Sequence, residues 1–376
     1  MRRLNFHVLG SGAIGSLLAF HLRKAQHEVT LLLRDARSLA AFQSQGSQLI
    51  CESDGVELKA NGFHAEAIQL PTRLPQRYTK SAITQAEDTG GTIQRLLVCT
   101  KAHDTIAAVR QLRERISSSG TIVLLQNGMG VCEEVCSLFP DEITRPNIAL
   151  ATTTHGSFRK NPFHAVHAGK GSIWLAAVPR PEPNPSILQS TDLRENIERL
   201  RALQSQSLAT TIEALKNIHE LDVMEEHFTL LQDRLLEKLV VNACINPLTA
   251  LMNCRNGDLL NIRSTHELTR SICKEASEAI IASRMPSADA LNRFLPDRLH
   301  KYIGEVCRST ASNYSSMLQD IRKGSYTEID YINGYLYRLA AQHGVQAPVN
   351  LALWRLVKTK HKIDCKHRER SGGIKL

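Results

Sequence analysis

Four short apolar runs stand out in the first 125 residues: Phe6-His-Val-Leu9, Val29-Thr-Leu-Leu-Leu33, Leu96-Leu-Val-Cys99 and Ile122-Val-Leu-Leu125. A strand with one wet face alternates apolar and polar residues. Runs that are apolar nearly throughout instead predict a parallel sheet covered on both faces. Between the first two runs, the stretch from Ser16 to Gln26 predicts a crossover helix. Strand, glycine-rich turn, helix and strand open a doubly wound α/β domain. Two stretches break the pattern. Residues 60–94 are polar and hold Pro71 and Pro75, and residues 179–207 begin with the stiff run Pro179-Arg-Pro-Glu-Pro-Asn-Pro185, so both are expected to be irregular insertions.

From about residue 226 the β-branched runs disappear and helical spacing takes over. Leu230, Leu231, Leu235, Leu239 and Ala243 mark one stripe, and Ile329, Ile332, Leu336 and Leu339 mark another. The expected fold is therefore an α/β N-terminal Rossmann-type doubly wound domain followed by an all-α C-terminal domain. The expected bounds are 1–225 for the first domain, 226–357 for the helical one, and 358–376 for a basic tail. No internal repeat is visible.

Composition narrows the classes. At 376 residues, 42% hydrophobic and 22% charged, the chain has material for more than one packed core, which excludes a disordered or fibrous protein. Its net charge is +9, and seven Lys or Arg against two acids lie between Lys358 and Leu376. Such a tail suits a polyanion or a membrane surface, but a solvated terminus is the plainer expectation. Neither a nucleic-acid nor a membrane partner is expected. The nine cysteines form no C-x-x-C pair, so no metal site is expected and a reducing, cytoplasmic setting is. The apolar run after Arg2 and Arg3 is too short for a leader, and no stretch is expected to span a bilayer. Oligomeric state stays open between monomer and homodimer.

Chemistry enters at the first turn. Gly10-Ser11-Gly12-Ala13-Ile14-Gly15 follows the first strand and opens a helix. In that context the first glycine permits the tight turn, the second lets backbone approach a diphosphate, and the third lets helix and strand pack closely. The diphosphate then meets N–H groups at a helix N-terminus. The end of the second strand distinguishes the dinucleotides. Arg34 suits the 2′-phosphate of NADP or NADPH through paired charge-assisted bonds, the alternative being a surface Arg34 with Asp35 on the ribose hydroxyls of NAD.

Further polar residues sit where ligands of such sheets bind, beyond the strand ends: Lys101, Gln126 and Asn127. Asn127-Gly128 is equally readable as a plain turn, and Lys101 as a solvated lysine. In the helical half, Lys238, Asn242 and Asn246 are spaced i, i+4, i+8 and share one face. A lysine with two carboxamides suits a ketone, the ammonium protonating the alkoxide while the amides hold the substrate. The competing reading is the polar stripe of an amphipathic helix. Pro247 is expected to kink or end that helix. Asn313 and Ser316 lie one turn apart, and Ser325-Tyr-Thr-Glu328 has the form of a capping box.

Taken together these segments resemble the ketopantoate reductase family. Asn127-Gly-Met-Gly130, Lys238-Leu-Val-Val-Asn-Ala-Cys-Ile-Asn-Pro-Leu-Thr249 and Thr327-Glu-Ile-Asp-Tyr-Ile-Asn-Gly334 carry the likeness, beside the N-terminal glycine turn. Thr152-Thr-Thr-His155, Asn253-Cys-Arg-Asn-Gly257 and Ser315-Ser-Met-Leu-Gln-Asp-Ile321 extend it from about residue 5 to about residue 345. The resemblance implies NADPH-dependent reduction of the small molecule 2-dehydropantoate to pantoate. It implies Lys238 as proton donor and Glu328 as an acidic active-site residue, overriding the capping box. It further implies Arg34 and Lys101 at the cofactor and Asn127 near both nicotinamide and substrate. Asn242, Asn246 and Ser316 are implied to hold the substrate, with Asn256 and Asn313 lining its site. Two other readings stand beside this one: a reductase of another branched 2-oxo acid, and a non-catalytic NADP-binding sensor.

Overall fold

The computed structural model describes residues 3–68, 91–181, 191–284 and 288–370. It divides into two units, Met1–Gln126 with Val131–Leu231, and Asn127–Gly130 with Gln232–Leu376. The division thus falls a few residues beyond the expected 225, and it assigns the four-residue turn at 127–130 to the helical unit.

In the first unit the chain runs β1 (Asn5–Leu9), α1 (Ala13–Lys24), β2 (Glu28–Leu33), α2 (Ala36–Ser44), β3 (Leu49–Ser53), β4 (Val56–Ala60), β5 (His64–Ala67), β6 (Ile93–Val98), α3 (Ala102–Leu112), β7 (Ile116–Leu124), α4 (Val131–Ser137), β8 (Asn147–Thr153), β9 (Gly156–Asn161), β10 (His164–Gly169), β11 (Ile173–Ala177), α5 (Thr191–Lys216) and β12 (Val223–Glu225). Eight strands form the main sheet in the order β12-β11-β8-β7-β6-β1-β2-β5. The six from β5 to β8 are parallel, and β11 joins β8 antiparallel. That parallel order reverses between β1 and β6, the switch point where such sheets bind ligands. Phe6, Val8, Leu96, Leu97 and Val98 are fully buried, as expected of strands covered on both faces. A smaller sheet, β4-β3-β10-β9, was not foreseen. Its β3–β4 hairpin turns on Asp54-Gly55, both at positive φ, the two-residue connection that Asp-Gly favours.

Two expectations are corrected here. Residues 191–207 belong to α5, not to an irregular insertion. Its leucines and isoleucines repeat at helical spacing, with Ile197, Ile212 and Leu215 buried, a signal hidden by the proline run before it. Within 60–94, residues 64–67 form β5 on the edge of the main sheet. The remaining insertion segments, 69–90 and 182–190, lie outside the described residues.

The chain enters the second unit through α6 (Phe228–Met252) and continues with α7 (Arg263–Ser283), α8 (Ala288–Arg293), α9 (Pro296–Ser309), α10 (Ser316–Lys323), α11 (Asn333–Gln342) and α12 (Pro348–Arg370). Leu239, Ala243, Ile272, Leu299, Leu318, Leu336 and Val357 share its core. Of the predicted α6 stripe, Leu231, Leu235, Leu239 and Ala243 are buried whereas Leu230 is exposed. Pro247 does not end α6, which continues to Met252. By length and composition α6 also qualifies as a membrane span, contrary to expectation, but 72% of its most apolar window is buried inside the protein. The tail expected from 358 is instead the second half of α12, which runs to Arg370. Val357 and His361 are buried, and Arg368 donates to the carbonyls of Ile321 and Arg322 at the end of α10, so this charge is partly structural.

Candidate functional site

In the first unit the glycine turn lies at the carboxyl end of β1. Gly10 has φ +103°, and a Cβ there would stand 2.8 Å from the Cys99 carbonyl carbon. A Cβ on Gly15 would fall 1.9 Å from the Gly10 carbonyl oxygen, so only glycine lets α1 lie this close to the turn. Gly12 differs. It is the N-cap of α1, and a Cβ there would meet nothing within 4 Å. The first turn of α1 carries no acidic residue and no side-chain cap. Open space before a helix N-terminus without a competing carboxylate fits a diphosphate.

Around that turn stand the other cofactor candidates. Arg34 follows β2, half-exposed, with its guanidinium 2.5 Å from Asp104 in the first turn of α3. Lys101 occupies the N-cap position of α3, directly beyond β6. Asp35, the acid that would serve an NAD ribose, is used otherwise. Its carboxylate accepts from the Ser38 N–H at 2.7 Å and caps α2, and bonding to Ser38 holds it below its ordinary pKa. Gln126 turns inward and donates to the Val98 carbonyl at 2.9 Å, tying β7 to β6.

In the second unit, Lys238, Asn242 and Asn246 lie on successive turns of α6, with Asn246 buried. Burial pulls the Lys238 ammonium down to about 8 from its ordinary 10.5, and the Glu328 carboxylate pulls the other way. Glu328 is itself buried, at 4% exposure, and the Ser325 N–H that a capping box would give it goes instead to the Asp320 carbonyl at 2.9 Å, so the capping-box form at 325–328 is not realised. Asn127 Nδ2 donates to Glu328 Oε2 at a long 3.5 Å. The turn carrying Asn127 is seated by its backbone. Met129 N–H donates to the Tyr331 carbonyl at 2.9 Å, and a Cβ on Gly128, at φ +84°, would stand 2.5 Å from that oxygen. Lys238, Glu328 and Asn127 are thus one electrostatic group.

The remaining candidates gather around the start of α10. Asn256 is buried, donates to Thr310 Oγ1 at 3.0 Å, and bonds through its main-chain N–H to the Asn313 carbonyl at 3.0 Å. Its Oδ1 is buried without a partner among the described residues. Asn313 and Ser316 present exposed side chains. Two residues that sequence reasoning passed over hold this end together. Ser315 Oγ caps α10 by accepting from Leu318 N–H at 3.2 Å, and Thr249 Oγ1 donates to it at 2.7 Å. A serine two residues before Met317 is a readable N-cap signal, but its tie to Thr249, 66 residues away, is not.

Comparison with known proteins gives a consistent pattern. A family model described as "Ketopantoate reductase PanE/ApbA" matches residues 6–180, and one described as "Ketopantoate reductase PanE/ApbA C terminal" matches residues 230–361. A protein of Schizosaccharomyces pombe named "Probable 2-dehydropantoate 2-reductase" is 32% identical, covering 94% of this chain and 95% of that one. The Yersinia pestis 2-dehydropantoate 2-reductase is 30% identical over 94% of each chain. Among solved structures, a Bacillus subtilis protein again named "Probable 2-dehydropantoate 2-reductase" is 25% identical, with a TM-score of 0.65 over 95% of this chain and 99% of that one. D-mandelate dehydrogenase, solved with NADH and anilino(oxo)acetate, aligns with a TM-score of 0.73 over 96% of this chain and 99% of that one. At 18% identity that likeness concerns the fold alone.

Proposed function

The chain belongs to the ketopantoate reductase family, and we propose on that premise that it reduces 2-dehydropantoate to pantoate with NADPH. The observation that carries the reading is the placement of a part-buried Lys238 on one helix face with Asn242 and Asn246, within the influence of the buried Glu328 carboxylate. An amphipathic stripe facing solvent has no reason to hold an ammonium near pKa 8.

Gly10–Gly15 with the α1 N-terminus would hold the diphosphate, and Arg34 and Lys101 the 2′-phosphate. Asp35 is engaged as a helix cap, which supports NADPH over NADH. When bound, the reduced nicotinamide supplies a hydride to the ketone carbon. Lys238 gives its proton to the ketone oxygen, so one C–H and one O–H bond form and pantoate leaves as the alcohol. Asn242, Asn246 and Ser316 hold the substrate carboxylate and hydroxyl, while Asn256 and Asn313 line the site. Glu328 keeps Lys238 protonated, and Asn127 orients Glu328. The nine cysteines are all free thiols, which supports a reducing, cytoplasmic compartment.

The test is steady-state turnover, followed by loss of reduced-nicotinamide absorbance, with 2-dehydropantoate, NADPH or NADH, and a panel of other 2-oxo acids. Turnover that prefers NADPH and 2-dehydropantoate is expected. Preference for another 2-oxo acid would overturn the substrate, and preference for NADH the cofactor.

A further inference from the structure

Pro247 lies inside α6, one residue after Asn246. Having no N–H, it leaves the Ala243 carbonyl without the usual helical donor, at the point dividing the half that carries Lys238 and Asn242 from the half that carries Asn246. The structure supplies a replacement. Asn333 Nδ2 donates to the Ala243 carbonyl at 3.0 Å. The same amide donates to Asn350 Oδ1 at 3.0 Å, and Asn350 Nδ2 donates to Glu275 Oε2 at 2.8 Å. Glu275 is fixed in turn by the main-chain N–H groups of Val349 and Asn350 at the start of α12, at 2.8 and 2.9 Å. Asn333 and Asn350 are 0% exposed and Glu275 is 8% exposed.

We propose that Asn333, braced by Asn350 and Glu275, is a positioning residue that completes α6 at Pro247 and so aligns Asn246 with Lys238 and Asn242. The inference rests on the reading of those three residues as the substrate face. Two features favour positioning over plain stabilisation. The bond goes to the one α6 carbonyl that Pro247 deprives of its donor. In addition, Asn333 Oδ1 is buried with no partner among the described residues, a cost that an apolar side chain would avoid. The amide orientation is chemically determined, because flipping it would set Oδ1 against two acceptors.

The experiment is a double-mutant cycle of Asn333→Ala and Pro247→Ala in the full chain. Restoring an N–H at 247 makes the Asn333 donor redundant. Asn333→Ala is expected to lower kcat/KM for the 2-oxo acid by about 10- to 100-fold, with the NADPH dissociation constant changed by less than about twofold. In the Pro247→Ala background the same substitution should cost at least about tenfold less. Leu299→Ala, a core truncation away from the network, serves as a stability control. It should lower Tm while leaving kcat/KM below the melting range unchanged. A second readout needs neither substrate nor cofactor: amide exchange over residues 244–251 should rise about tenfold in Asn333→Ala and much less in the double variant. Additive effects, unchanged exchange, or a loss that Leu299→Ala reproduces would overturn the proposal. Should Asn333→Ala not fold, Glu275→Gln is read by the same criteria. Absence of 2-dehydropantoate turnover in the unaltered protein would overturn the functional reading and leave the exchange arm to decide this one.

Discussion

The pKa of Lys238 makes a quantitative demand on the pH dependence of the reaction. At about 8, the ammonium is roughly 90% protonated at pH 7, yet its proton is bound less tightly than an ordinary lysine's by about 3 kcal/mol. A general acid with that balance should give a kcat/KM for reduction that is flat below about pH 7 and falls about tenfold per unit well above 8. The reverse oxidation needs the neutral amine, so its rate should climb through the same midpoint. The perturbation that isolates the cause is Glu328→Gln. Glu328 is the raising influence on Lys238, so its removal must move the midpoint down. Removing that carboxylate therefore shifts the midpoint below about 8, in the direction burial already pulls it. Ionisation alone then makes the variant slower than the unaltered protein at pH 8, by about fivefold for a midpoint one pH unit lower, and nearly equal to it at pH 6. The assay is kcat/KM for 2-dehydropantoate between pH 6 and 9.5, both proteins in the same constant-ionic-strength buffers. A ratio of the two that stays flat with pH, or a midpoint that rises, would refute the pairing of Lys238 with Glu328. A ratio below one at every pH is not a refutation, because Glu328 also accepts from Asn127.

Three further outcomes follow from other parts of the molecule. Arg34→Ala should raise KM for NADPH by about tenfold and leave KM for NADH within about twofold; the modest figure reflects a half-exposed guanidinium that must leave Asp104, and equal losses with both cofactors would refute the assignment. Gly12→Ala should fold with an unchanged Tm but bind NADPH at least about tenfold more weakly, whereas Gly15→Ala should lower Tm, because its methyl would collide with the Gly10 carbonyl while the other enters open space; calorimetry with a cofactor titration separates the two. His7 and His21 are pushed down to about 4 chiefly by burial, so stability is fully present above pH 6.5 and is lost as pH falls from 6.5 through 4, by up to about 3 kcal/mol for each. Tm between those values should drop, and less steeply in His21→Gln.

What could be read from the chain beforehand was whatever a short window contains. The glycine turn, β1, α1 and β2 lie within 29 residues, and local sterics decide each of them. The same holds for the Lys238–Asn242–Asn246 face, which needs only the helical repeat. Glu328 shows the limit. Its window reads as a capping box, and only tertiary burial and the bond from Asn127 set it among groups that act on Lys238; the active-site role itself comes from the family likeness. Asn333 shows the limit again. Nothing within a dozen residues of it hints at Ala243, 90 positions away. Yet the need was legible: a proline inside an otherwise unbroken helical pattern announces a carbonyl that some distant donor must serve. The basic segment after Lys358 was misjudged in one respect. Its charged side chains are mostly exposed, as their density implies, but the helical spacing of Val357 and His361 and the reach of Arg368 keep it an ordered continuation of α12. In each case the missing information is a partner, not a propensity. Polar groups in this chain are therefore best read as requests, and the unmet request at Pro247 is the one that leads from α6 to the network that holds it.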